Sequence, residues 1–189
     1  MIRIVFTMLL GLVIAVLVIG SFLPRQIVIE RDRVIDQPRE IIFEVLADLR
    51  HFAEWSPWFE QTNDMDLRIE GPPSGIGSTL VWSDRRSDRG GRLWIVGLSR
   101  SERIDLDLEL GENEAELYFL LAPSAEPGYR VTWGMRMEVG ALDLVGRYAG
   151  LLLHRLVGRD YEAGLENLAR HLDQTPGRVP ELPAELLAD

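Results

Sequence analysis

Residues Ile4 to Leu23 run for 20 positions without a charged side chain, interrupted in their apolar character only by Thr7, Gly11, Gly20 and Ser21. As a helix this run is about 30 Å long, the thickness of the hydrocarbon core of a bilayer. The first two dozen residues are thereby removed from any water-soluble core. Of the 189 residues, roughly 165 remain to fold, the size of one domain. A cleaved secretory signal is the competing reading, with Arg3 as its basic end and Gly20-Ser21 as a cut site. A retained anchor is favoured because the run exceeds the usual length of a signal's apolar region and lacks an A-x-A-like end. Pro24 and Arg25 then stop the helix at the interface. Arg25, Arg31, Arg33 and Arg39 follow the span whereas Arg3 precedes it, so the positive-inside count leans toward a cytoplasmic domain and leaves the side open. The expected organisation is an anchor over 1–24, a folded domain over 25–175 and a flexible tail over 176–189, whose prolines and charges suit a frayed end.

Beyond the anchor the composition is that of a globular chain, rich in both apolar and charged residues. The net charge is −10, and all 20 basic residues are arginine. Without a basic stripe to neutralise phosphates, nucleic acid is excluded as an expected partner. Cysteine is absent, which excludes disulfides, thiolate catalysis and cysteine-based metal sites.

Periodicity predicts an α+β chain. Ile27, Ile29 and Val34-Ile35 mark a first strand, after which Asp36-Gln37-Pro38 supplies a capping residue and a proline near a helix start. Ile41, Ile42, Val45, Leu46 and Leu49 recur at helical spacing, and Asp48 opens a second short helix toward His51 and Trp55. The period then shortens to two. Ile104, Leu106, Leu108 and Leu110 alternate with Asp105, Asp107 and Glu109, and Tyr129, Val131, Trp133, Met135 and Met137 alternate with polar residues. Turns fall at Gly111-Glu112-Asn113 and Glu126-Pro127-Gly128. With Thr79–Ser83, Arg92–Leu98 and Glu114–Leu121, about seven antiparallel strands form a curved sheet with one buried face. The last element carries two apolar stripes, Val145, Ala149, Leu152, Leu156 and then Tyr161, Leu165, Leu168, Leu172, each expected to face the sheet. The five-residue step across Gly158 predicts a break or kink between them.

These residues carry a resemblance. A strand ending before Pro38-x-Glu40-x-x-Phe43, then Asp48-Leu49, Trp55-Ser56-Pro57-Trp58, Gly71-Pro72, Gly75-x-Gly77-Ser78 with Trp82, Val131-Thr132-Trp133 and Gly158-Arg159-Asp160-Tyr161-Glu162-x-Gly164-Leu165 is similar to the SRPBCC superfamily, the START-like and polyketide cyclase helix-grip proteins, over roughly residues 26 to 174. The resemblance implies a long C-terminal helix laid across a seven-stranded antiparallel sheet with an apolar cavity between them. It also implies hydrophobic ligands such as lipids, sterols, polyketides or quinones, and no single chemistry.

The chain's own catalytic groups are few. His51, His154 and His171 share no local ligand spacing, Asp64-x-Asp66 lacks the rest of a calcium loop, and Gly71 to Gly77 leads into a strand without the Lys-Ser/Thr end of a phosphate loop. No metal and no cofactor are assigned. Gly90-Gly91, among Arg85, Arg86, Arg89 and Arg92, reads as a solvated hairpin tip, with contact to anionic headgroups as the alternative. What remains is an apolar constellation. Trp55, Trp58, Phe59, Trp82, Trp94, Tyr118, Trp133, Met135 and Met137, with Tyr148, Leu152 and Leu156 on the last helix, are the candidate cavity residues. Glycines at Gly150, Gly158 and Gly164 are expected to leave the concave side incompletely filled. The expected function is membrane-tethered binding of a hydrophobic small molecule or lipid. The alternatives are a cyclase-like enzyme using His154, Tyr148 or Tyr161 as acid or base, and an interaction module that exposes Trp55 and Trp58.

Overall fold

The computed structural model describes residues 2–59, 65–84, 90–99, 101–111, 113–140 and 143–174. In chain order these form helix α1 (Ile2–Phe22), strand β1 (Gln26–Ile35), helices α2 (Arg39–Ala47) and α3 (Leu49–Trp55), and a 3-10 turn at Pro57–Phe59. Strands β2 (Met65–Glu70), β3 (Thr79–Asp84), β4 (Gly90–Ser99), β5 (Arg103–Leu110), β6 (Asn113–Pro123) and β7 (Tyr129–Glu138) follow, and helix α4 (Leu144–Gln174) closes the fold. The single sheet has the order β1-β7-β6-β5-β4-β3-β2. Every neighbouring pair is antiparallel, so β2 to β7 meander and β1 returns beside β7. The expected Asp64, the arginines Arg85, Arg86 and Arg89 of the hairpin tip, and the tail over 176–189 lie outside the described residues.

The alternation read from β5 and β7 sorts their core side chains inward as expected, and β4 and β6 contribute rows of their own. Leu93 and Ile95, Ile104, Leu106 and Leu108, Ala115, Leu117, Phe119 and Leu121, and Val131, Trp133 and Met135 all enter the core. Between Ile95 and Gly97 the β4–β5 register slips by one residue, a bulge that bends the sheet. Rings from three elements meet at the centre. Trp133 of β7 stacks face to face on Tyr161 of α4, with centroids 4.1 Å apart and planes at 7°. Phe52 and Trp55 of α3 meet the same indole edge-on at 5.8 and 5.3 Å.

The short helices have different starts. At α2 the residue before the first turn is Pro38, and no side chain caps it, so Asp36 does not serve as the expected cap. At α3 the buried Asp48 accepts from the backbone N–H of Arg50 at 3.0 Å and from Arg50 Nε at 2.8 Å.

Helix α4 departs from expectation twice. It runs unbroken through Gly158 for 31 residues, and its first apolar stripe turns away from the sheet. Val145, Leu152 and Leu156 are 81, 60 and 53 % exposed, and Ala149 is exposed with them. The face that docks is instead the one bearing Gly150, Gly158 and Gly164, all buried. A Cβ at Gly150 would meet Ile27, one at Gly158 the Arg31 guanidinium, and one at Gly164 would lie 2.5 Å from Trp133 Cζ3. Glycine lets the helix axis approach until side chains from β1 and β7 fill the space a Cβ would take. Close packing of that kind outweighs burial of the larger stripe.

Helix α1 is the one described helix long and apolar enough to cross a membrane, over Val5–Phe22 at mean hydropathy 2.7. Its last turn is tied to the start of α4. Arg147 Nη1 donates to the carbonyls of Gly20 and Ser21 at 3.2 and 3.0 Å, in the last turn where carbonyls lose their i+4 partners; that of Gly20 also accepts from the Leu23 N–H at 3.3 Å.

At the other end of α4, His171 reaches α3. Its Nε2 lies 3.6 Å from the Glu54 carboxylate, which is also 3.2 Å from His51 Nδ1. Residues 51 and 171, which share no sequence spacing, are thus brought together by the fold. Burial holds the His171 imidazole below its ordinary value near 6.5, opposed by the Glu54 charge and reinforced by His51.

Two outcomes follow from these contacts. Gly164→Ala drives a methyl into an immobile indole and should destabilise by about 1–3 kcal/mol. Gly158→Ala meets only the movable end of Arg31 and gains up to about 1 kcal/mol of helix propensity, so it should be nearly neutral; urea unfolding of both variants separates the two cases. For His171, a folded pKa below the unfolded one means that its contribution is complete above about pH 6.5 and is lost as pH falls below it. Thermal midpoints should decline with acidity, and His171→Gln should flatten that decline; identical slopes would locate the acid sensitivity elsewhere.

Candidate functional site

Curvature of the sheet leaves one end of the concave face uncovered by α3, and there the chain forms an apolar groove of about 370 Å³. Its walls come from several elements. Trp58 and Phe59 of the 3-10 turn and Met65 form one side, and Trp82 of β3, Leu108 and Leu110 of β5 and Ala115 of β6 form the floor. Met135 and Met137 of β7 face Leu153 and Val157 of α4, with Asn113 and Glu114 at the rim. Trp82 lies over Gly91, its cross-strand partner, where a Cβ would collide with the ring. That placement lets Phe59 meet Trp82 edge-on at 5.6 Å.

Five of the twelve expected cavity residues line this groove: Trp58, Phe59, Trp82, Met135 and Met137. Trp55 and Trp133 are 1 and 0 % exposed and belong to the packed centre; Trp133 adjoins the groove at Trp58, whose ring centroid is 5.6 Å away. Trp94 and Tyr118 stand on the opposite face of the sheet, because the strand period puts them out of phase with Leu93 and Leu117. There Arg92 lies 4.6 Å over the Trp94 ring and Arg103 5.1 Å over Tyr118. Tyr118 crosses β7 above Gly134 and donates its hydroxyl to Glu30. Burial, that hydrogen bond and the Glu30 charge push it up to about 12, so the phenol remains a donor that ties β6 to β1. Tyr148 donates to Val16 O of α1 at 2.7 Å, and Leu152 and Leu156 face outward.

The groove residues missed by sequence reading are Met65, Leu108, Leu110, Asn113, Glu114, Ala115, Leu153 and Val157. Leu108 and Leu110 carried the strand alternation, and Leu153 and Val157 are a stripe one residue out of step with the one chosen.

Among the described residues lining the groove, Glu114 is the one ionisable side chain, and it is exposed at the rim. The acid–base candidates do not converge on it. His154 is exposed and Tyr148 is engaged with α1. Burial holds Tyr161 well above the ordinary phenol range, so it is a neutral hydroxyl at any working pH. Its oxygen and the indole nitrogens of Trp55 and Trp133 are buried without a hydrogen-bond partner among the described residues. A larger depression of about 460 Å³ on the outer face is lined by Arg92, Asp107, Glu109, Glu114, Glu116, Arg136 and Glu138 around Trp94; its charge makes it a poor receptor for an apolar molecule. His51, Glu54 and His171 are the described residues with the donor types of a transition-metal site, their ligand atoms lying within 4.8 Å of one another. The contacts of 3.2 and 3.6 Å to Glu54 are equally those of a clasp joining α3 to α4.

A sequence profile of the family described as polyketide cyclase/dehydrase and lipid transport matches residues 26–173. No curated protein matches the chain. Among solved structures, norcoclaurine synthase from Thalictrum flavum, in complex with dopamine and hydroxybenzaldehyde, is similar with a TM-score of 0.60 at 13 % identity, over 85 % of this chain and 94 % of its own. The protein TTHA0849 from Thermus thermophilus gives 0.59 at 15 %, over 79 % of this chain and 99 % of its own. The di-domain ARO/CYC StfQ from the steffimycin biosynthetic pathway gives 0.57 at 13 %, over 79 % and 51 %. At such identities the likeness carries the fold, and the profile carries the membership. The seven-stranded helix-grip chain described above belongs to the polyketide cyclase/dehydrase and lipid transport family.

Proposed function

We propose that this chain is a membrane-tethered binding domain that holds a hydrophobic small molecule or lipid tail in the groove between its sheet and α4. The observation that carries the reading is the groove's lining, which is apolar throughout except for Asn113 and Glu114 at the rim. Its volume of about 370 Å³ falls at the small end of ligand pockets, which span about 300–1,000 Å³. Met65, Met135 and Met137 supply flexible, polarisable walls that adapt to an irregular apolar shape. At the rim Asn113, in phase with the inward Ala115, offers an amide to a ligand's headgroup. Tethering through α1 concentrates the domain where such molecules partition.

A cyclase of the same fold requires an acid or base at the reacting carbon. The groove's single carboxylate is at the rim and Tyr161 lies beyond Trp58, so binding is the better-supported reading. The interaction module needs an exposed Trp55, and that residue is 1 % exposed.

Filling the groove tests this directly. Leu153→Trp and Val157→Trp place an indole in it from a partly exposed helix position that tolerates bulk. Each should weaken uptake of N-phenyl-1-naphthylamine, followed by fluorescence, by at least about tenfold, or ~1.4 kcal/mol, with the unfolding midpoint little changed. Undiminished uptake by both variants would show that the probe binds elsewhere and would defeat the assignment of the groove.

A further inference from the structure

We infer that the N-terminal half of α4 is a second membrane contact, lying in the bilayer interface along the stripe Val145, Ala149, Leu152 and Leu156. This deepens the binding reading and rests on its premise that α1 spans a membrane. The four residues are spaced four, three and four, so they form one narrow row along the helix. The row covers roughly 16 Å at 1.5 Å per residue. Three of them are more than half exposed large aliphatic residues, an arrangement that water does not favour and that marks an interaction face.

The position of this face relative to α1 decides what covers it. Tyr148 donates to the carbonyl of Val16, Arg147 to those of Gly20 and Ser21, and a Cβ at Gly20 would lie 2.9 Å from the Tyr148 ring and 3.4 Å from Leu144. The first turn of α4 is therefore held beside the last two turns of α1, the stretch that sits at the headgroup boundary when Val5–Phe22 fills the hydrocarbon core. The Tyr148 ring packs beside Gly20, about 3 Å along the helix from Phe22, near the depth where amphipathic aromatic rings gather. The stripe continues away from α1 as an interfacial helix does, apolar on one side and buried a few ångströms into the acyl boundary. After Leu156 the same row becomes polar at Arg159 and Asp160, and Arg155 and Arg159, both exposed, reach toward anionic headgroups. Leu152 and Leu156 are each followed by the groove residues Leu153 and Val157. A bilayer resting on the stripe therefore abuts the α4 wall of the groove, and an apolar molecule passes from one to the other without crossing bulk water.

The absence of native cysteine makes the test clean. Nitroxide labels are placed singly on the full chain at Ile14→Cys, Leu152→Cys, Leu156→Cys and Glu166→Cys, and the protein is reconstituted into vesicles of phosphatidylcholine and phosphatidylglycerol. Collision with oxygen, which concentrates in the bilayer, is compared with collision with an aqueous nickel chelate. Labels at 152 and 156 should show an oxygen-to-nickel ratio several-fold above that at 166 and approaching that at 14. Ratios at 152 and 156 equal to that at 166, with 14 in the bilayer, would overturn the inference while leaving the anchor intact. An aqueous label at 14 would instead remove the anchor and the inference with it. Shielding at 152 and 156 from both reagents, with spin–spin broadening that vanishes on dilution with unlabelled protein, would assign the face to a second copy and also overturn it.

Discussion

Everything in this fold hangs on the stack of Trp133 on Tyr161. The two rings come from the sheet and from α4, lie 4.1 Å apart and nearly parallel, and are fully buried. Around them Phe52, Trp55, Trp58 and Phe119 bring in the short helices and the neighbouring strand. Aromatic pairs of this kind contribute about 0.5–1.5 kcal/mol beyond the area they bury, and here six rings share one centre. Gly164 is the condition for it, because any side chain there would occupy the place of the Trp133 ring.

The groove is a consequence of where that centre lies. Aromatic residues fill the concave face beneath α3 and the middle of α4, and the filling ends at Trp58 and Phe59. Beyond them the sheet curves on, floored by small and flexible side chains such as Ala115, Met135 and Met137, while α4 passes overhead carrying Leu153 and Val157. Core and groove are thus two ends of one apolar face. What distinguishes them is the volume available on the helix side. The contacts of Arg92 with Trp94 and of Arg103, Tyr118 and Glu30 with one another lie on the outer face, and the groove itself carries little charge.

Much of this was legible in the sequence, for reasons that are physical and local. Strand alternation is a period-two signal, and β5 and β7 showed it, whereas β4 and β6 read as short apolar runs such as Leu93-Trp94-Ile95-Val96 and Leu117-Tyr118-Phe119-Leu120-Leu121; helix α3 was marked by Asp48, whose carboxylate does cap it. Two kinds of information were not local. The phase of Trp94 and Tyr118 follows from their odd step relative to Leu93 and Leu117, yet size alone recommended them as cavity residues. For α4, the regular spacing of Val145, Ala149, Leu152 and Leu156 indicates an apolar face without indicating which partner it meets. The decision belonged to Gly150, Gly158 and Gly164, whose role depends on Ile27, Arg31 and Trp133, residues far off in the chain. The meeting of His51 with His171 is of the same kind, since only the tertiary fold brings α3 to the end of α4.

The most direct measurement is native mass spectrometry, with organic extraction, of the full chain purified in lipid nanodiscs from its own host. A stoichiometric apolar compound that leaves the protein only on denaturation, and that is lost from a groove-filled variant, is the expected result. A clean apo mass that persists after incubation with a membrane-lipid extract would contradict the central claim that the groove between sheet and α4 is a binding site.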